Sequence, residues 1–245
     1  MGDSHGLGRV KSTFDENDFN LKDFIPASAP ISLVKESKWE FPHDSLDQGD
    51  TPHCTGFSRA SYGINYPVHV DYTDADGHRF YYQNKIIDGQ PNAENGSSIR
   101  SIAKALKADN RIEAYAFAPD MALVKWWLLN RGPMIAGTIW LSGMFEPKPD
   151  NTLSIEGDIV GGHAYLLNEW RIDNYIGIQN SWGKSWGLNG KAYISAVDFE
   201  KLFNYNGEVM AAVELDNYNQ KKECFLMMLL TLPIAKARGF TAKPR

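Results

Sequence analysis

The order of hydrophobic patterns along this chain restricts its fold more than any other feature. Helical spacing predicts three helices, starting at Cys54 and running to about Tyr62, then over Ser97–Lys107 and Asp120–Asn130. From Met134 onward the pattern predicts strands, over Met134–Trp140, His163–Glu169, Asn174–Ile178, Lys191–Ser195 and Val209–Leu215. Because helices come first and strands second, we expect an α+β protein with two lobes joined near residues 115 to 133.

The segment between the first two helices predicts a β-hairpin. Residues 68–72 and 79–82 alternate in polarity, and Asp76-Gly77 between them is typical of a tight turn. The helical lobe is therefore expected to contain this hairpin as well as helices.

Both ends of the chain differ from the middle. Residues 1–44 are polar with little periodicity, and they predict an extended arm over the surface. Residues 216–245 carry six basic and two acidic residues around an apolar patch, Phe225–Leu230. This C-terminal extension is either an element that closes the sheet followed by a frayed tail, or an assembly arm that docks on a partner.

Charge and cysteine content exclude several classes of protein. A net charge of -5 gives no electrostatic reason to expect nucleic acid as a partner. Only Cys54 and Cys224 are present, so neither a disulfide framework nor a structural zinc site is expected, and no cofactor is implied. The start lacks a signal peptide, and the apolar run near the end is too short for a membrane span. We therefore expect a soluble protein of a reducing compartment, with no membrane partner.

The residues that indicate chemistry centre on Cys54. A cysteine attacks carbonyl groups as a thiolate, which a helix N-terminus or a nearby imidazole favours. Gln48 lies six residues earlier, where its amide could donate to an oxyanion together with the Cys54 backbone N–H. A histidine follows two glycines at Gly161-Gly162-His163, and an asparagine opens the segment Asn180-Ser181-Trp182-Gly183.

Three blocks together resemble the signatures of the papain-like (C1-type) cysteine peptidase family. They are Q-G-x4-C-x2-F-S from Gln48, G-G-H-A from Gly161 and N-S-W-G-x-S-W-G-x-N-G from Asn180. The resemblance covers roughly residues 45 to 215. It implies a two-lobed fold with a helical lobe (45–130), an antiparallel β-barrel lobe (131–215) and an active site in the cleft between them.

The resemblance also implies a role for each site residue. Cys54 would be the nucleophile, His163 the general base and acid, and Asn180 the residue that orients the imidazole. Gln48 would be the oxyanion donor, and Trp182 would shield the His163–Asn180 hydrogen bond from water. The edge that pairs with the substrate backbone would include Gly96 and Ser97, and the pocket beside the histidine would be lined by Gly161 and Gly162.

Some positions depart from the family pattern. Thr55 follows the nucleophile in place of the usual tryptophan, there are no disulfides, and 44 residues are too few for the usual helical prodomain. These features resemble an intracellular bacterial or bacteriophage branch, located in the cytoplasm or carried in a phage particle. His53 is expected to have a surface or subsite role, and Cys224 to be a structural thiol.

Three functions remain open at this point. The first is an endopeptidase acting on peptide or protein substrates, and the second is a phage hydrolase acting on cell-wall peptides. The third is a structural, virion-associated component that retains the fold without activity. The intact set of Gln48, Cys54, His163 and Asn180 favours an enzyme.

Overall fold

A computed structural model describes residues 5–25 and 34–213 of the chain. Its helices are α1 (Cys54–Ile64), α2 (Asp74–Ile87), α3 (Ile99–Ala108), α4 (Met121–Asn130) and α5 (Ala196–Asn204). Its strands are β1 (Arg9–Val10), β2 (Phe19–Asn20), β3 (Ser37–Lys38), β4 (Ser97–Ser98), β5 (Ala114–Phe117), β6 (Met134–Leu141), β7 (Ile159–Trp170), β8 (Tyr175–Gln179), β9 (Lys191–Ser195) and β10 (Glu208–Val213). Helices α1 to α4 precede the longer strands β6 to β10, which confirms the predicted α+β class.

The hairpin prediction is wrong, because residues 74–87 form helix α2. The N–H and hydroxyl of Thr73 both donate to the Asp76 carboxylate, at 2.9 and 3.0 Å, and these hydrogen bonds cap the start of a helix. Gly77 is not a turn residue. A Cβ added to Gly77 would lie 2.8 Å from the Phe57 ring, and one added to Gly56 would lie 2.2 Å from the Gly77 carbonyl oxygen. The two glycines therefore let α1 and α2 cross closely.

The other helix predictions are confirmed, with caps that explain their starts. The side chain of Ser98 accepts a hydrogen bond from the Ser101 N–H at the start of α3. That of Asp120 accepts one from the Leu123 N–H at the start of α4. Helix α5 was not predicted, although Ser195 caps it in the same way through the Asp198 N–H.

One sheet contains most of the strands, in the order β2-β5-β10-β6-β7-β8-β9, with β3 paired to β7. Neighbouring strands are antiparallel except for β2 and β5. The strand predictions from Met134 onward are confirmed over the described residues. Strand β5 was missed because its four residues, Ala-Tyr-Ala-Phe, contain no β-branched side chain. It pairs with β10, so the chain joins the sheet before residue 131.

The two parts of the fold meet where α1 packs on the sheet. Cys54 at the start of α1, Ile99 at the start of α3, and Ala164 and Leu166 of β7 share one buried apolar cluster. His163 precedes Ala164 on β7 and lies opposite Thr138 of β6. The packing of α1 on β7 therefore sets the position of the cysteine relative to the histidine.

The described part of the N-terminal arm is extended and lies largely at the surface, and its short strands also pair with the rest of the fold. Strand β1 pairs in parallel with β4, joining Arg9 to Ser97 and Val10 to Ser98. Further along the arm, β2 pairs with β5 and β3 with β7. Backbone groups at exposed strand edges bind an extended chain whatever its side chains are, and side-chain patterns do not reveal this.

The C-terminal extension of 216–245 and Cys224 lie outside the described residues. In the described ranges, no helix is long and apolar enough to cross a bilayer.

Lys85 fixes the loop that leads from α2 to β4. Its side chain is 1% exposed, and its Nζ donates to Gln90 Oε1 at 3.0 Å, Asn95 Oδ1 at 2.8 Å and the Gly96 carbonyl at 2.9 Å. A buried ammonium group with three acceptors is well compensated, whereas without it the Gly96 carbonyl would be buried and would lose this donor. Lys85 thus holds the edge at Gly96 and Ser97 in place.

We predict that Lys85→Met lowers the free energy of unfolding by about 3 kcal/mol, because the three acceptors lose their donor while helix propensity is unchanged. The measurement is urea unfolding. Lys104→Met is the matched control: its partner is Asp15 at the surface, and a loss below about 0.5 kcal/mol is expected. Equal losses in the two variants would show that the buried lysine does not hold the loop.

Candidate active site

Cys54 is the first residue of α1 and has no exposed surface. Burial raises the pKa of its thiol to about 11, although backbone N–H groups of Ala164, Gly8 and Thr55 act in the opposite direction. As the first helical residue, Cys54 also has a backbone N–H without an acceptor inside the helix. The thiol is therefore neutral at pH 7 in this arrangement, and the N–H beside it is not used by the helix.

Gln48 is held by the segment that follows β8. Its backbone N–H donates to the Ser181 carbonyl at 2.9 Å, and the Ser181 hydroxyl donates to Gln48 Oε1 at 2.7 Å. These contacts fix which end of the amide carries the oxygen. Gln48 Nε2 is left to donate to the Thr51 carbonyl at 2.8 Å and to the Gly6 carbonyl at 3.1 Å. A donor aimed in this way is the type of group that stabilises an oxyanion.

The hydrogen bonds of Asn180 define the tautomer of His163. Asn180 Oδ1 accepts from the Ser181 backbone N–H at 2.8 Å, so this atom is the oxygen of the amide. His163 Nε2 lies 2.7 Å from the same oxygen and must therefore carry the proton. His163 Nδ1 then has a free lone pair, and it has no hydrogen-bond partner in the described part of the chain. This lone pair can accept a proton from a thiol.

Aromatic rings enclose the imidazole. The Trp182 ring stacks with that of His163 at a centroid distance of 4.6 Å, and the Trp140 ring meets it edge-on at 4.9 Å. Burial lowers the pKa of His163 to about 4, against the opposing effect of its hydrogen bond to Asn180. At neutral pH both the imidazole and the Cys54 thiol are uncharged, so the described form lacks an activated thiolate.

An extended segment of the chain itself covers these side chains. The Gly6 N–H donates to the Gly49 carbonyl at 3.0 Å, and the Gly6 carbonyl accepts from Gln48 Nε2 and, at 3.3 Å, from Trp182 Nε1. His5 stacks on Trp182 at a centroid distance of 4.5 Å. We call residues 5–12 the cleft segment, since they follow the groove between α1 and the sheet.

Gly8 is bound from both sides of this groove. Its N–H donates to the Gly162 carbonyl at 3.0 Å, and its carbonyl accepts from the Ser97 N–H at 2.8 Å. These are backbone bonds, of the kind that an extended peptide of any sequence forms with two strand edges. Gly8 therefore bridges the two strand edges that line the groove.

The cleft segment fits because its glycines lack side chains. A Cβ added to Gly6 would lie 1.9 Å from the Thr51 carbonyl oxygen, and one added to Gly8 would lie 2.0 Å from that of Pro52. These contacts are with backbone, which cannot move aside as a flexible side chain can. An alanine at Gly8 must therefore lift the segment or shift the loop before α1.

The structure brings the nine residues singled out in the sequence into one region. Gln48 and Trp182 bind Gly6 of the cleft segment, Cys54 lies against the Gly8 N–H, and His163 lies against Trp182 and Asn180. The other four residues also contact the cleft segment. Ser97 and Gly162 form backbone hydrogen bonds with Gly8, Gly96 packs on the Gly8 carbonyl, and Gly161 packs on the Leu7 side chain. Sequence reasoning missed Ser181, which orients two of these residues, and the segment itself.

His53 differs from its expected surface or subsite position. It is 4% exposed, and its ring stacks on Tyr81 at a centroid distance of 3.8 Å. Its ring nitrogens lie 2.7 Å from His78 Nδ1 and 2.6 Å from Glu94 Oε2. Both nitrogens are therefore occupied, and His53 supports the loop before Cys54 from within. The helix that carries His78 was predicted as a hairpin, which hid this contact.

Metal binding has no candidate residues in ranges 5–25 and 34–213. Nowhere in them do three or more histidine, cysteine, aspartate or glutamate side chains form a group that could hold an ion.

Comparisons with known proteins identify the fold. No protein-family model matches the chain, and no curated protein is similar to it in sequence. Among solved structures it is similar to xylellain, a cysteine protease from Xylella fastidiosa, with a TM-score of 0.66 and 19% identity over 86% of this chain and 98% of xylellain. The fold is papain-like.

Two further structures agree with this papain-like fold. Procathepsin L2 from the larval midgut of Tenebrio molitor gives a TM-score of 0.59 at 15% identity, over 86% of this chain and 78% of that protein. The proform of Amb a 11, a cysteine protease and ragweed pollen allergen, gives 0.57 at 13% identity, over 76% and 67%. At such identities the similarity shows the fold alone, and the activity is a separate question.

We predict that nitrogen-15 NMR of the histidine side chains finds His163 protonated at Nε2 and unprotonated at Nδ1 at pH 7. The pKa of this imidazole should be about 4. His163→Gln assigns the signal. Because this pKa is lowered from 6.5, the covered form binds fewer protons than an opened one between pH 4 and 6.5, and it loses stability as the pH falls through that range. A doubly protonated His163 at pH 7 would contradict the conclusion that the Cys54 thiol and the His163 imidazole are both uncharged.

Proposed function

We propose that this chain is a papain-like cysteine peptidase, and that residues 5–12 hold it in a covered, latent form. The observation that supports this most is the position of the cleft segment. It is an extended peptide whose Gly6 carbonyl accepts a hydrogen bond from Gln48, while Gly8 is bound on both sides next to Cys54. A bound peptide thus already meets the groups that peptide hydrolysis requires.

In the proposed reaction, the Cys54 thiol gives its proton to His163 Nδ1 and the sulfur attacks the carbonyl carbon of the substrate. The carbonyl oxygen becomes an oxyanion, which Gln48 Nε2–H and the Cys54 backbone N–H stabilise. The C–N bond then breaks, and the proton on Nδ1 passes to the leaving amine. The product of this half is a thioester on Cys54.

Water completes the cycle. His163 takes a proton from the water, whose oxygen attacks the thioester, and the C–S bond breaks to release the carboxylic acid. The proton returns to the sulfur. Asn180 keeps the imidazole in the tautomer that both halves need, because it accepts from Nε2–H throughout.

The direction of the cleft segment explains how it can lie in the cleft without being cut. The leaving amine must lie beside His163 and its stacked neighbour Trp182, since the imidazole supplies its proton. A substrate therefore runs, from N- to C-terminus, from the Ser97 side toward Trp182. The segment runs the opposite way, from Gly6 beside Trp182 to Arg9 and Val10 beside β4. Its peptide bonds are thus presented in reverse.

We predict that Gly8→Ala increases the labelling of Cys54 by a peptidyl epoxide, and the hydrolysis of casein, by about tenfold or more. The added methyl group disrupts two backbone hydrogen bonds, which contribute about 1 kcal/mol each. Val10→Ala is the matched control, because Val10 belongs to the same segment but is 49% exposed, and no increase is expected. Mass spectrometry locates the adduct.

Further variants separate the possible outcomes. Cys54→Ala or His163→Ala, each combined with Gly8→Ala, should abolish labelling, whereas Cys224→Ala should not. If the opened protein is folded but labels only at Cys224, or not at all, the proposed peptidase activity is contradicted. The chain would then be a structural component with a peptidase fold. If labelling is fast, comparing purified peptidoglycan with casein decides between cell-wall peptide and protein as substrate.

A further inference from the structure

Two histidines share a hydrogen bond next to the residue that carries the thiol. His53 Nδ1 lies 2.7 Å from His78 Nδ1, and His53 Nε2 lies 2.6 Å from Glu94 Oε2. The Tyr82 hydroxyl donates to the other oxygen of Glu94 at 2.8 Å. We call His53, His78 and Glu94 the imidazole cluster. It is separate from the reacting groups, but His53 directly precedes Cys54 in the chain.

The hydrogen bonds of the cluster limit how many protons its two rings can hold. The Glu94 carboxylate is ionised at neutral pH, because hydrogen bonds, first the one from His53, lower its pKa. His53 Nε2 therefore carries a proton and donates to Glu94. Only one proton fits between the two Nδ1 atoms, so one ring donates and the other accepts. The pair is thus neutral or carries one positive charge, since two charged rings would place two N–H groups against each other.

The other groups around the cluster do not compensate a second positive charge. Within the described ranges, the further titratable groups that face it are Tyr81 and Tyr82 of α2 and Cys54 of α1. Burial raises the pKa of Tyr81 to about 12, and the hydrogen bond to Glu94 raises that of Tyr82, so both phenols are neutral. The thiol is neutral as well. The negative charge that faces the two rings is that of Glu94.

The imidazole cluster joins two loops that hold the proposed active site. His53 is the residue at which α1 starts. In the same loop, the Thr51 carbonyl accepts from Gln48 Nε2 at 2.8 Å. Glu94 lies in the loop before Ser97, whose N–H donates across the groove. A change in the cluster would therefore move the proposed nucleophile and the proposed oxyanion donor together.

A second proton on the two rings must break the bond between them. The His53 side chain is 5% exposed, with Tyr81 stacked on its ring and His78 and Tyr82 meeting the ring edge-on. A ring held in this way does not turn a charged nitrogen toward water, so the two rings must move apart. This movement shifts the loop before Cys54 or the start of α2. A displacement of about 1 Å at a reacting group can lower a rate about a hundredfold.

The pKa of His53 agrees with this cost of protonation. Burial lowers it from 6.5, against the opposing effect of Glu94, and the charge of His78 lowers it further. The folded cluster therefore binds fewer protons than the unfolded chain below pH 6.5. Its contribution to stability is lost as the pH falls from 6.5 through the lowered pKa.

We propose that the imidazole cluster positions the loop that carries Gln48 and Cys54, and that a second proton on its rings misplaces this loop in acid. His53, His78 and Glu94 are thus positioning residues for the proposed peptidase reaction, on which this inference rests. The opened enzyme loses activity in acid through this cluster, independently of the protonation of His163.

The test compares pH profiles in the full-length Gly8→Ala protein, with the rate constant for labelling of Cys54 by a peptidyl epoxide as the readout. Adding His78→Asn keeps a side chain that can donate to or accept from His53 Nδ1 and removes one titrating ring. It should raise the labelling rate at pH 5 by about fivefold or more and change the rate at pH 7.5 by less than about twofold. His69→Asn is the control, because His69 is exposed and its positive φ suits asparagine, and it should change neither rate.

Glu94→Gln tests the cluster from its other end. The amide oxygen can still accept from His53 Nε2–H, but the negative charge that favours protonation of the ring is removed. The labelling rate at pH 5 should again rise by about fivefold or more, with the rate at pH 7.5 nearly unchanged. A merely structural defect would instead lower the rate at both pH values.

A second measurement does not depend on the reaction. Between pH 7.5 and pH 5, the urea midpoint of the wild-type protein should fall by about 0.5 M or more beyond the fall in His78→Asn, because the wild type loses the bond between the rings. Equal falls in the two proteins would contradict the disruptive second proton.

The outcomes separate the two proposals. If Cys54 labels rapidly but His78→Asn and Glu94→Gln change the rate equally at both pH values, or leave it unchanged at pH 5, the positioning role is overturned and the peptidase stands. If Cys54 does not label in the opened protein at any pH, the proposed function itself fails, and the positioning role fails with it.

Discussion

The site depends above all on the hydrogen bonds that Ser181 forms between the two sides of the cleft. Its N–H fixes the amide of Asn180, its carbonyl accepts from the Gln48 N–H, and its hydroxyl orients the Gln48 side chain. The Gly183 N–H adds a bond to the Leu46 carbonyl at 3.0 Å. One residue thereby aligns the group that orients the histidine with the proposed oxyanion donor. The papain-like fold supplies the rest by packing the start of α1 on β7.

Burial gives this arrangement a second property. Burial raises the pKa of Cys54 and lowers that of His163, so the thiol and the imidazole are both uncharged in the covered form, although the Gly8 N–H and the Arg9 charge lower the pKa of Cys54. Opening the cleft would readmit water, which stabilises a thiolate and an imidazolium. In this account latency is both steric and electrostatic, and release of residues 5–12 removes both restraints at once.

Much of the site could be predicted from the sequence because its residues lie in short contiguous motifs around Gln48, Gly161 and Asn180. Helices with clear periodicity and polar caps were predictable too. The hairpin prediction failed because Asp76-Gly77 is typical of a turn. Here the Asp76 carboxylate instead caps a helix by accepting from Thr73, and the missing side chain of Gly77 lets helix α1 pack closely. The docking of residues 5–12 could not be predicted, since backbone bonds and missing Cβ atoms leave no pattern. Nothing in the sequence joined His53 to Glu94 either, because side chains 41 positions apart share no local pattern.

The central claim is that the cleft of a cysteine peptidase is filled by its own N-terminal segment, and residue-resolved amide hydrogen exchange tests it most directly. The Gly8 and Ser97 amides donate across the groove, to Gly162 and Gly8. Both should exchange at least tenfold more slowly in the wild type than in Gly8→Ala, while amides in the middle of β8 should be unchanged. If residues 5–12 exchange as an unstructured chain in the wild type, with Ser97 equally fast in both proteins, the segment does not occupy the cleft and the account of latency is wrong.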